Sequence, residues 1–218
     1  MSKTVKVKIC GLTNEDDVKM CVCRGTDIIG FVVDYPRPVP WNLDARTAKK
    51  LAAGVFYPSE ICVVTGGPPD KIIGLASEIK PDYVQLHSGE TLGDTARLVL
   101  KLKKRGIKII KTVFPDTPDL ERAAAEFCKA GVYALLFDPR TPDNALTGGN
   151  ANIDMFLFLK NAVSCPVILA GGINPGNAAD IIQKTNAQII DLMTGVEKAP
   201  GVKDEKKVKL LFEKIKGE

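Results

Sequence analysis

Histidine is almost absent from this 218-residue sequence: His87 is the only one, and no Cys-x-x-Cys pair occurs. Structural zinc sites are built from clustered Cys and His ligands, so we expect no metal. No apolar run approaches the roughly 20 residues that a membrane-spanning helix needs. The segment 1–4 also lacks the apolar stretch of a secretory signal peptide. We therefore expect a cytoplasmic protein with no membrane partner.

A strong charge of one sign is missing as well. Lys and Arg number 30 against 26 Asp and Glu, and the basic residues are dispersed. The segment Lys203-Asp204-Glu205-Lys206-Lys207 mixes both signs and is typical of a solvated helix face. Nucleic-acid-binding proteins instead concentrate Lys and Arg in a patch, so we expect no nucleic-acid partner. The chain contains six cysteines, and without a secretion signal we expect reduced thiols.

Eight short, mostly apolar runs alternate with amphipathic segments, and such runs are typical of strands buried on both faces. The predicted strands are Val5–Cys10, Ile28–Val33, Ile61–Thr65, Tyr83–His87, Ile107–Thr112, Ala134–Asp138, Val167–Ala170 and Ile189–Met193. Eight βα units in this length predict an α/β fold, a (β/α)8 TIM barrel, as one domain over residues 1–218. A Rossmann or flavodoxin-like sheet needs only five or six strands. Neither G-x-G-x-x-G after the first strand nor a P-loop occurs.

The segments between the strands have the periodicity of helices. The predicted helices include Asp44–Ala53, Asp70–Ile79, Thr91–Arg105, Pro118–Ala130, Pro175–Gln183 and Asp204–Lys216. Side-chain oxygens just before a helix accept hydrogen bonds from its free N–H groups, so we expect Asn14, Asp44 and Asn174 to act as caps.

Active sites of such barrels lie at the C-terminal ends of the strands, so polar residues there are the candidates for chemistry. They are Cys10, Asp34, Thr65, His87, Lys111, Asp138 and Asp191. We take His87 and Asp191 as substrate-binding candidates, although a lone histidine is also often structural. Gln85, two residues before His87, is expected to point into the barrel.

Two glycine-bearing turns follow the seventh and eighth predicted strands. The loops after these strands often hold phosphate in TIM barrels. Gly171 and Gly172 let backbone N–H groups approach an anion closely, while Thr194 and Gly195 add a hydroxyl and another N–H. We therefore predict a phosphate site at these four residues for a sugar phosphate, although paired glycines are also ordinary turn residues.

Asp138 and Cys10 form a candidate acid and base. A partly desolvated carboxyl at a barrel mouth has a raised pKa and can act as a general acid. The alternative for Asp138 is a loop cap or a partner of Arg140. Cys10 is the complementary base if a cation such as Lys8 or Lys111 favours its thiolate. The alternative for Cys10 is a small buried hydrophobic residue.

Several strings, in order along the whole chain, resemble the phosphoribosylanthranilate isomerase family of tryptophan biosynthesis. They are Lys8-Ile9-Cys10-Gly11-Leu12-Thr13, Gly30-Phe31-Val32, Gln85-Leu86-His87-Ser88-Gly89-Glu90, Leu169-Ala170-Gly171-Gly172-Ile173-Asn174-Pro175, Asp191-Leu192-Met193-Thr194-Gly195-Val196-Glu197 and Pro200-Gly201-Val202-Lys203-Asp204. The first and last strings are specific, whereas Ala-Gly-Gly alone is a weak signal.

The resemblance implies a (β/α)8 barrel without cofactor or metal that catalyses an Amadori rearrangement of a phosphoribosyl substrate. It also implies that Asp138 protonates the furanose ring oxygen and that Cys10 then takes the C2 proton. The expected partner is therefore a small phosphoribosyl molecule, and the expected oligomeric state is a monomer or a homodimer.

Three substrate-binding loops depart from the family pattern. The family's Ser-Pro-Arg follows strand 2, and Arg37, our candidate for the substrate carboxylate, falls about two positions early. The usual Gly-Gly-Thr-Gly is Thr147-Gly148-Gly149-Asn150 here, and the usual Ser-Ser is Met193-Thr194. These changes leave two alternatives open: a paralogous isomerase acting on another ribosyl phosphate, and a non-catalytic barrel that binds phosphosugars.

Overall fold

The computed structural model describes residues 5–140 and 151–216, so the loop Thr147–Asn150 lies outside the described residues. It contains strands β1 (Lys6–Ile9), β2 (Ile28–Val33), β3 (Asn42–Leu43), β4 (Glu60–Thr65), β5 (Tyr83–Leu86), β6 (Lys108–Val113), β7 (Ala134–Phe137), β8 (Val167–Ala170), β9 (Ile189–Leu192), β10 (Glu197–Ala199) and β11 (Val202–Lys203). The helices are α1 (Glu15–Cys23), α2 (Ala45–Ala52), α3 (Pro69–Ile79), α4 (Leu92–Lys103), α5 (Leu120–Lys129), α6 (Ile153–Ala162), α7 (Ala178–Thr185) and α8 (Glu205–Lys216).

A closed parallel barrel forms the centre of the molecule. Its strands pair in the order β1-β2-β4-β5-β6-β7-β8-β9, and β9 pairs again with β1. The predicted α/β fold, a (β/α)8 TIM barrel, is therefore confirmed. Two small elements were not predicted: β3 extends the sheet beside the end of β2, and β10 and β11 form an antiparallel hairpin after β9.

The barrel buries both faces of its strands, which explains their continuous apolar sequences. In β2, Ile29 and Phe31 face the helices, whereas Ile28 and Val32 belong to the cluster inside the barrel. This alternation follows from the two-residue period of a strand. Lys8 on β1 is also fully buried, so the barrel contains a charge that needs a partner.

Helix caps follow the predictions at Asn14 and Asp44, whose side chains accept hydrogen bonds from residues in the first turns of α1 and α2. The predicted cap at Asn174 is wrong, since α7 begins at Ala178. Asn174 instead accepts a hydrogen bond from the N–H of Gly176, and Asn177 accepts one from Asn174. These bonds hold residues 174–177 as a separate turn after β8. In the described part of the chain, no helix is long and apolar enough to cross a bilayer.

The expectation of reduced thiols is wrong for one pair. Cys128 in α5 and Cys165 just before β8 form a disulfide, with their Cα atoms 5.6 Å apart. The two residues are 37 positions apart in sequence, and the barrel places α5 beside the α6–β8 unit, so their spacing gave no sign of the pairing. Cys10, Cys21, Cys23 and Cys62 are free thiols.

The disulfide is expected to stabilise the fold, because a cross-link of this span removes chain entropy from the unfolded state. Replacing both Cys128 and Cys165 by Ser should lower the free energy of unfolding by about 2–4 kcal/mol. Urea denaturation without reductant measures the change, and Cys23→Ser, at an exposed free thiol, is the control. If alkylation of the unreduced, unfolded protein labels all six cysteines, the disulfide is absent and the prediction fails.

Candidate active site

An open cavity of ≈ 760 Å³ lies at the C-terminal ends of the barrel strands. The structure brings nine of the candidate site residues to this cavity: Cys10, Arg37, His87, Asp138, Gly171, Gly172, Asp191, Thr194 and Gly195. Lys111 also lines it. Asp34 and Thr65 do not: Asp34 is exposed in the loop after β2, and Thr65 is buried in β4. The predicted strand ends therefore converge on one place.

Cys10 follows β1 directly and is only 5% exposed. Gly30 on the adjacent β2 makes room for the thiol, because a Cβ added there would lie 2.9 Å from Cys10 Sγ. Burial raises the pKa of Cys10, and the opposing effect of the nearby Lys8 ammonium is smaller. The expected thiolate is therefore not the resting form; Cys10 rests as a thiol. Lys111 gives no help, since it is bound to Glu90.

Lys8 and Asp191 form an ion pair beneath the cavity. Lys8 Nζ lies 2.9 Å from Asp191 Oδ2, and the side chain of Lys8 is fully buried. Burial is the largest single influence and lowers the pKa of Lys8, but Asp191, with smaller contributions from Cys10 and Cys62, raises it overall, so the lysine stays charged. Asp191 Oδ1 is buried without a hydrogen-bond partner among the described residues. This oxygen is available to accept a hydrogen bond from a bound molecule.

Asp138 follows β7 and is held by Arg140. Arg140 Nε donates to Asp138 Oδ1 at 2.9 Å, and Nη2 donates to Oδ2 at 2.7 Å. The backbone N–H of Arg140 also donates to Oδ1, at 3.0 Å. Burial raises the pKa of Asp138, but the hydrogen bonds and charge of Arg140 outweigh it and hold that pKa below the usual value. The expected raised pKa is therefore wrong for this state, and the alternative, pairing with Arg140, is what the structure contains.

His87 follows β5 and lies between Asp138 and two polar side chains of the barrel. Its Nδ1 lies 2.9 Å from Thr112 Oγ1 and 3.2 Å from Gln85 Nε2. A ring nitrogen that faces an amide NH2 group is an acceptor, so the proton lies on Nε2. Nε2 faces Asp138 Oδ2 at 3.5 Å. Burial lowers the pKa of His87 to about 4, so the ring is neutral at pH 7 and directs an N–H toward Asp138.

The two glycine turns lie against one another. Gly171 and Gly172 have φ values of 91° and 62°, which glycine adopts readily and other residues rarely do. A Cβ added at Gly195 would lie 1.9 Å from the carbonyl oxygen of Ile173, so only glycine fits there. Asn177 Nδ2 donates to the carbonyl of Gly172 at 3.0 Å and fixes this turn. The close contact of the turns gives one concave backbone surface at the cavity wall.

The loop after β2 covers one side of the cavity. Tyr35 donates its hydroxyl hydrogen to the carbonyl of His87 at 2.8 Å. Trp41 Nε1 donates to Glu197 Oε1 at 2.8 Å, and Lys203 Nζ donates to the same oxygen at 2.7 Å. The loop is thus anchored at both ends, and Arg37 between them is exposed and lines the cavity mouth.

Sequence reasoning missed the partner of Lys111. Lys111 Nζ lies 2.8 Å from Glu90 Oε2, and both side chains are almost fully buried. Glu90 also accepts the backbone N–H groups of Ser88 and Gly67. This network fixes the loop that begins with His87. A lysine within an apolar strand was the available signal, because a buried lysine requires an acidic partner.

Among residues 5–140 and 151–216 no cluster of three or more His, Cys, Asp or Glu residues has an arrangement suited to a metal ion. Three ion pairs lie in or beneath the cavity instead: Lys8 with Asp191, Lys111 with Glu90, and Arg140 with Asp138. Chemically, the arrangement offers a buried thiol, a buried carboxyl and a backbone surface suited to an anion.

This chain is similar to known proteins over nearly its whole length. The family model described as N-(5'-phosphoribosyl)anthranilate (PRA) isomerase matches residues 7–214. The N-(5'-phosphoribosyl)anthranilate isomerase of Paramagnetospirillum magneticum is 33% identical over 219 residues, which cover 98% of each chain.

Two crystal structures of isomerases from this family have the same fold. One, in complex with reduced 1-(o-carboxyphenylamino)-1-deoxyribulose 5-phosphate, has a TM-score of 0.81 and 26% identity and covers 98% of this chain and 100% of that one. The other, of monomers of the dimeric enzyme from Thermotoga maritima, has a TM-score of 0.77 and 28% identity with the same coverage. The chain therefore belongs to the N-(5'-phosphoribosyl)anthranilate isomerase family.

Proposed function

We propose that this chain isomerises N-(5'-phosphoribosyl)anthranilate to 1-(2-carboxyphenylamino)-1-deoxyribulose 5-phosphate in tryptophan biosynthesis. It would act in the cytoplasm as a monomer or homodimer; the relative from Thermotoga maritima is dimeric. The observation that carries the proposal is that one cavity of a family member contains Cys10, Asp138 and the paired glycine turns. A reduced form of this product is bound in the related crystal structure.

Asp138 is the general acid of the first step. It gives a proton to the furanose ring oxygen, the bond between that oxygen and C1 breaks, and the lone pair of the anthranilate nitrogen forms the C1=N bond of an iminium ion. Asp138 is 1% exposed, so little water competes for its proton. The N–H of His87 at 3.5 Å helps to hold the carboxyl in place.

Cys10 is the base of the second step. Its thiolate takes the proton from C2, the C2–H electrons form a C1=C2 bond, and the iminium becomes a neutral enolamine. The enolamine then tautomerises to the aminoketone. The buried ammonium of Lys8 lowers the pKa of Cys10 and so favours the thiolate that this step requires.

The remaining candidates bind the substrate. Gly171, Gly172, Thr194 and Gly195 take the phosphate, because free backbone N–H groups and a hydroxyl are the usual ligands of this dianion. The unpartnered Oδ1 of Asp191 accepts a ribose hydroxyl. Arg37, exposed at the mouth, offers a cation to the approaching anionic substrate.

Purified protein should convert phosphoribosylanthranilate, measured as the loss of its fluorescence, and should restore growth to a tryptophan auxotroph that lacks the isomerase. Cys10→Ser and Asp138→Asn should each lower kcat about 100-fold or more, because each removes a proton-transfer group. Cys23→Ser and Asp34→Asn are the matched controls, since both residues are exposed and lie outside the cavity.

The same assay separates the two alternatives. A folded protein that ignores phosphoribosylanthranilate but isomerises another ribosyl phosphate is a paralogous isomerase. One that binds phosphosugars without turnover is a non-catalytic barrel. Either result contradicts the proposed function, and near-normal turnover in Cys10→Ser or Asp138→Asn removes that residue from the mechanism.

Thr194→Val should raise KM about 10-fold with little change in kcat, because the hydroxyl loses a hydrogen bond to a charged phosphate in both ground and transition states. The inhibition constant of inorganic phosphate should rise in parallel. Thr65→Val is the control: its Oγ1 is buried without a partner in the described structure and does not line the cavity. Equal phosphate inhibition of Thr194→Val and the wild type would show that the anion binds elsewhere.

A further inference from the structure

Arg140 lies directly beside Asp138, the proposed general acid. Its side chain is only 19% exposed, it lines the cavity, and Nε and Nη2 both donate to the Asp138 carboxylate. Such a bidentate interaction is a strong arrangement for an arginine and a carboxylate. In this state Asp138 has no proton to give, because both of its oxygens accept hydrogen bonds from a cation.

The resting state is therefore the reverse of the state that the proposed chemistry needs. Asp138 is a carboxylate and Cys10 is a thiol, whereas ring opening needs a protonated Asp138 and C2 deprotonation needs a thiolate. The two states contain the same number of protons. They differ only in whether one proton is on Cys10 or on Asp138, so the substrate has to change what holds Asp138.

The proposed substrate carries a group that can do this. Its anthranilate carboxylate has the same two-oxygen geometry as the side chain of Asp138, and it enters a cavity whose wall includes Arg140. Of the other cations nearby, Lys8 beneath the cavity and Lys111 in its wall are already bound to buried carboxylates. Arg37 is exposed on the loop after β2 and approximately two positions from the family's arginine.

We propose that Arg140 binds the carboxylate of the substrate and, in doing so, releases Asp138 to carry the proton for ring opening. Arg140 then determines the specificity for a carboxylated substrate and also controls whether Asp138 is protonated. This inference rests on the proposed function, since it assigns the substrate's carboxylate to a residue of the same site.

Asp138 and Cys10 together hold the same number of protons at the start and at the end of one turnover. On binding, the proton of Cys10 Sγ is lost to solvent and a proton from solvent binds Asp138. Asp138 gives its proton to the ring oxygen as the C1–O bond breaks, and Cys10 takes the C2 proton as the enolamine forms. The cycle ends with a carboxylate and a thiol, the state that Arg140 holds at rest, so Arg140 can return to Asp138 as the product leaves.

The test compares phosphoribosylanthranilate with N-(5'-phosphoribosyl)aniline, which lacks the carboxylate. The wild type should prefer the carboxylated substrate by about 10–100-fold in kcat/KM, the value of one charge-assisted contact. In Arg140→Gln this preference should fall to within about threefold, because the variant neither binds the carboxylate nor restrains Asp138. Arg140→Lys should restore part of it, and Arg37→Gln should keep most of it.

Two results overturn the inference. One is an Arg140→Gln variant that keeps the wild-type preference, and the other is loss of that preference in Arg37→Gln, which would assign the carboxylate to Arg37. If the wild type turns over neither compound, the proposed function itself fails. Circular dichroism and the thermal midpoint establish that each variant is folded.

A measurement on the wild type keeps the proposal testable if Arg140→Gln does not fold. Only the complex with one proton on the pair Asp138 and Cys10 is active, so kcat falls in acid as both become protonated. Release from Arg140 raises the pKa of Asp138, and the acid limb of kcat should lie about one pH unit or more higher with the carboxylated substrate than with the aniline compound. Coincident acid limbs would contradict the proposal.

Other charged groups around this pair are common to both complexes and so cancel in the comparison. The titratable or charged groups that act on Asp138, Cys10 or Arg140, or lie in or beneath the cavity, are Lys8 on β1, Tyr35 and Arg37 on the loop after β2, Cys62 on β4, His87 and Glu90 after β5, Lys111 on β6, Asp116 after β6, Asp191 on β9 and Lys203 on β11.

Discussion

The buried ion pair of Lys8 and Asp191 is the interaction on which the site depends. The two residues are direct partners in the register of β1 and β9, the first and last strands of the barrel, whose pairing closes it. Removing one member would leave the other charge buried alone, which costs about 3–5 kcal/mol. Because side chains alternate along a strand, Cys10 follows Lys8 on the same inner side, and the turn with Thr194 follows Asp191. The pairing that closes the barrel therefore also positions the site.

The same requirement explains the other buried charges. An ionised group away from water needs a partner, and the three cations buried at or beneath this barrel mouth each have one: Asp191 for Lys8, Glu90 for Lys111 and Asp138 for Arg140. The first two pairs join neighbouring strands or loops and hold the architecture. The third joins residues only two apart in one segment, so breaking it moves no strand. Arg140 is therefore the buried cation that a ligand can redirect at low structural cost.

The fold and the location of the site were predictable from the sequence, whereas the ion pairs within the site and the disulfide were not. Strand period, strand count and the polar residue after each apolar run are local features, and they placed Cys10, His87 and Asp138 at one barrel mouth. The sequence allows a pair between Arg140 and Asp138 as an alternative, but the strength of that pair depends on burial, which a sequence does not contain. The Cys128–Cys165 bond depends on which helices are neighbours around the barrel. Glu90 lies in one of the strings that resemble the family, but its pairing with Lys111 depends on how close the fold brings the two side chains.

Burial acts in the same sense on the proposed base and the proposed acid, but Arg140 opposes it at only one of them. It raises the pKa of both Cys10 and Asp138, which keeps the thiol protonated and pulls a proton toward the carboxyl. Arg140 cancels the effect at Asp138 alone. The burial that raises the pKa of a carboxyl is therefore already present at Asp138, and the guanidinium of Arg140 keeps that pKa low. A substrate that engages this guanidinium does not have to create an acid; it only has to remove the group that suppresses one.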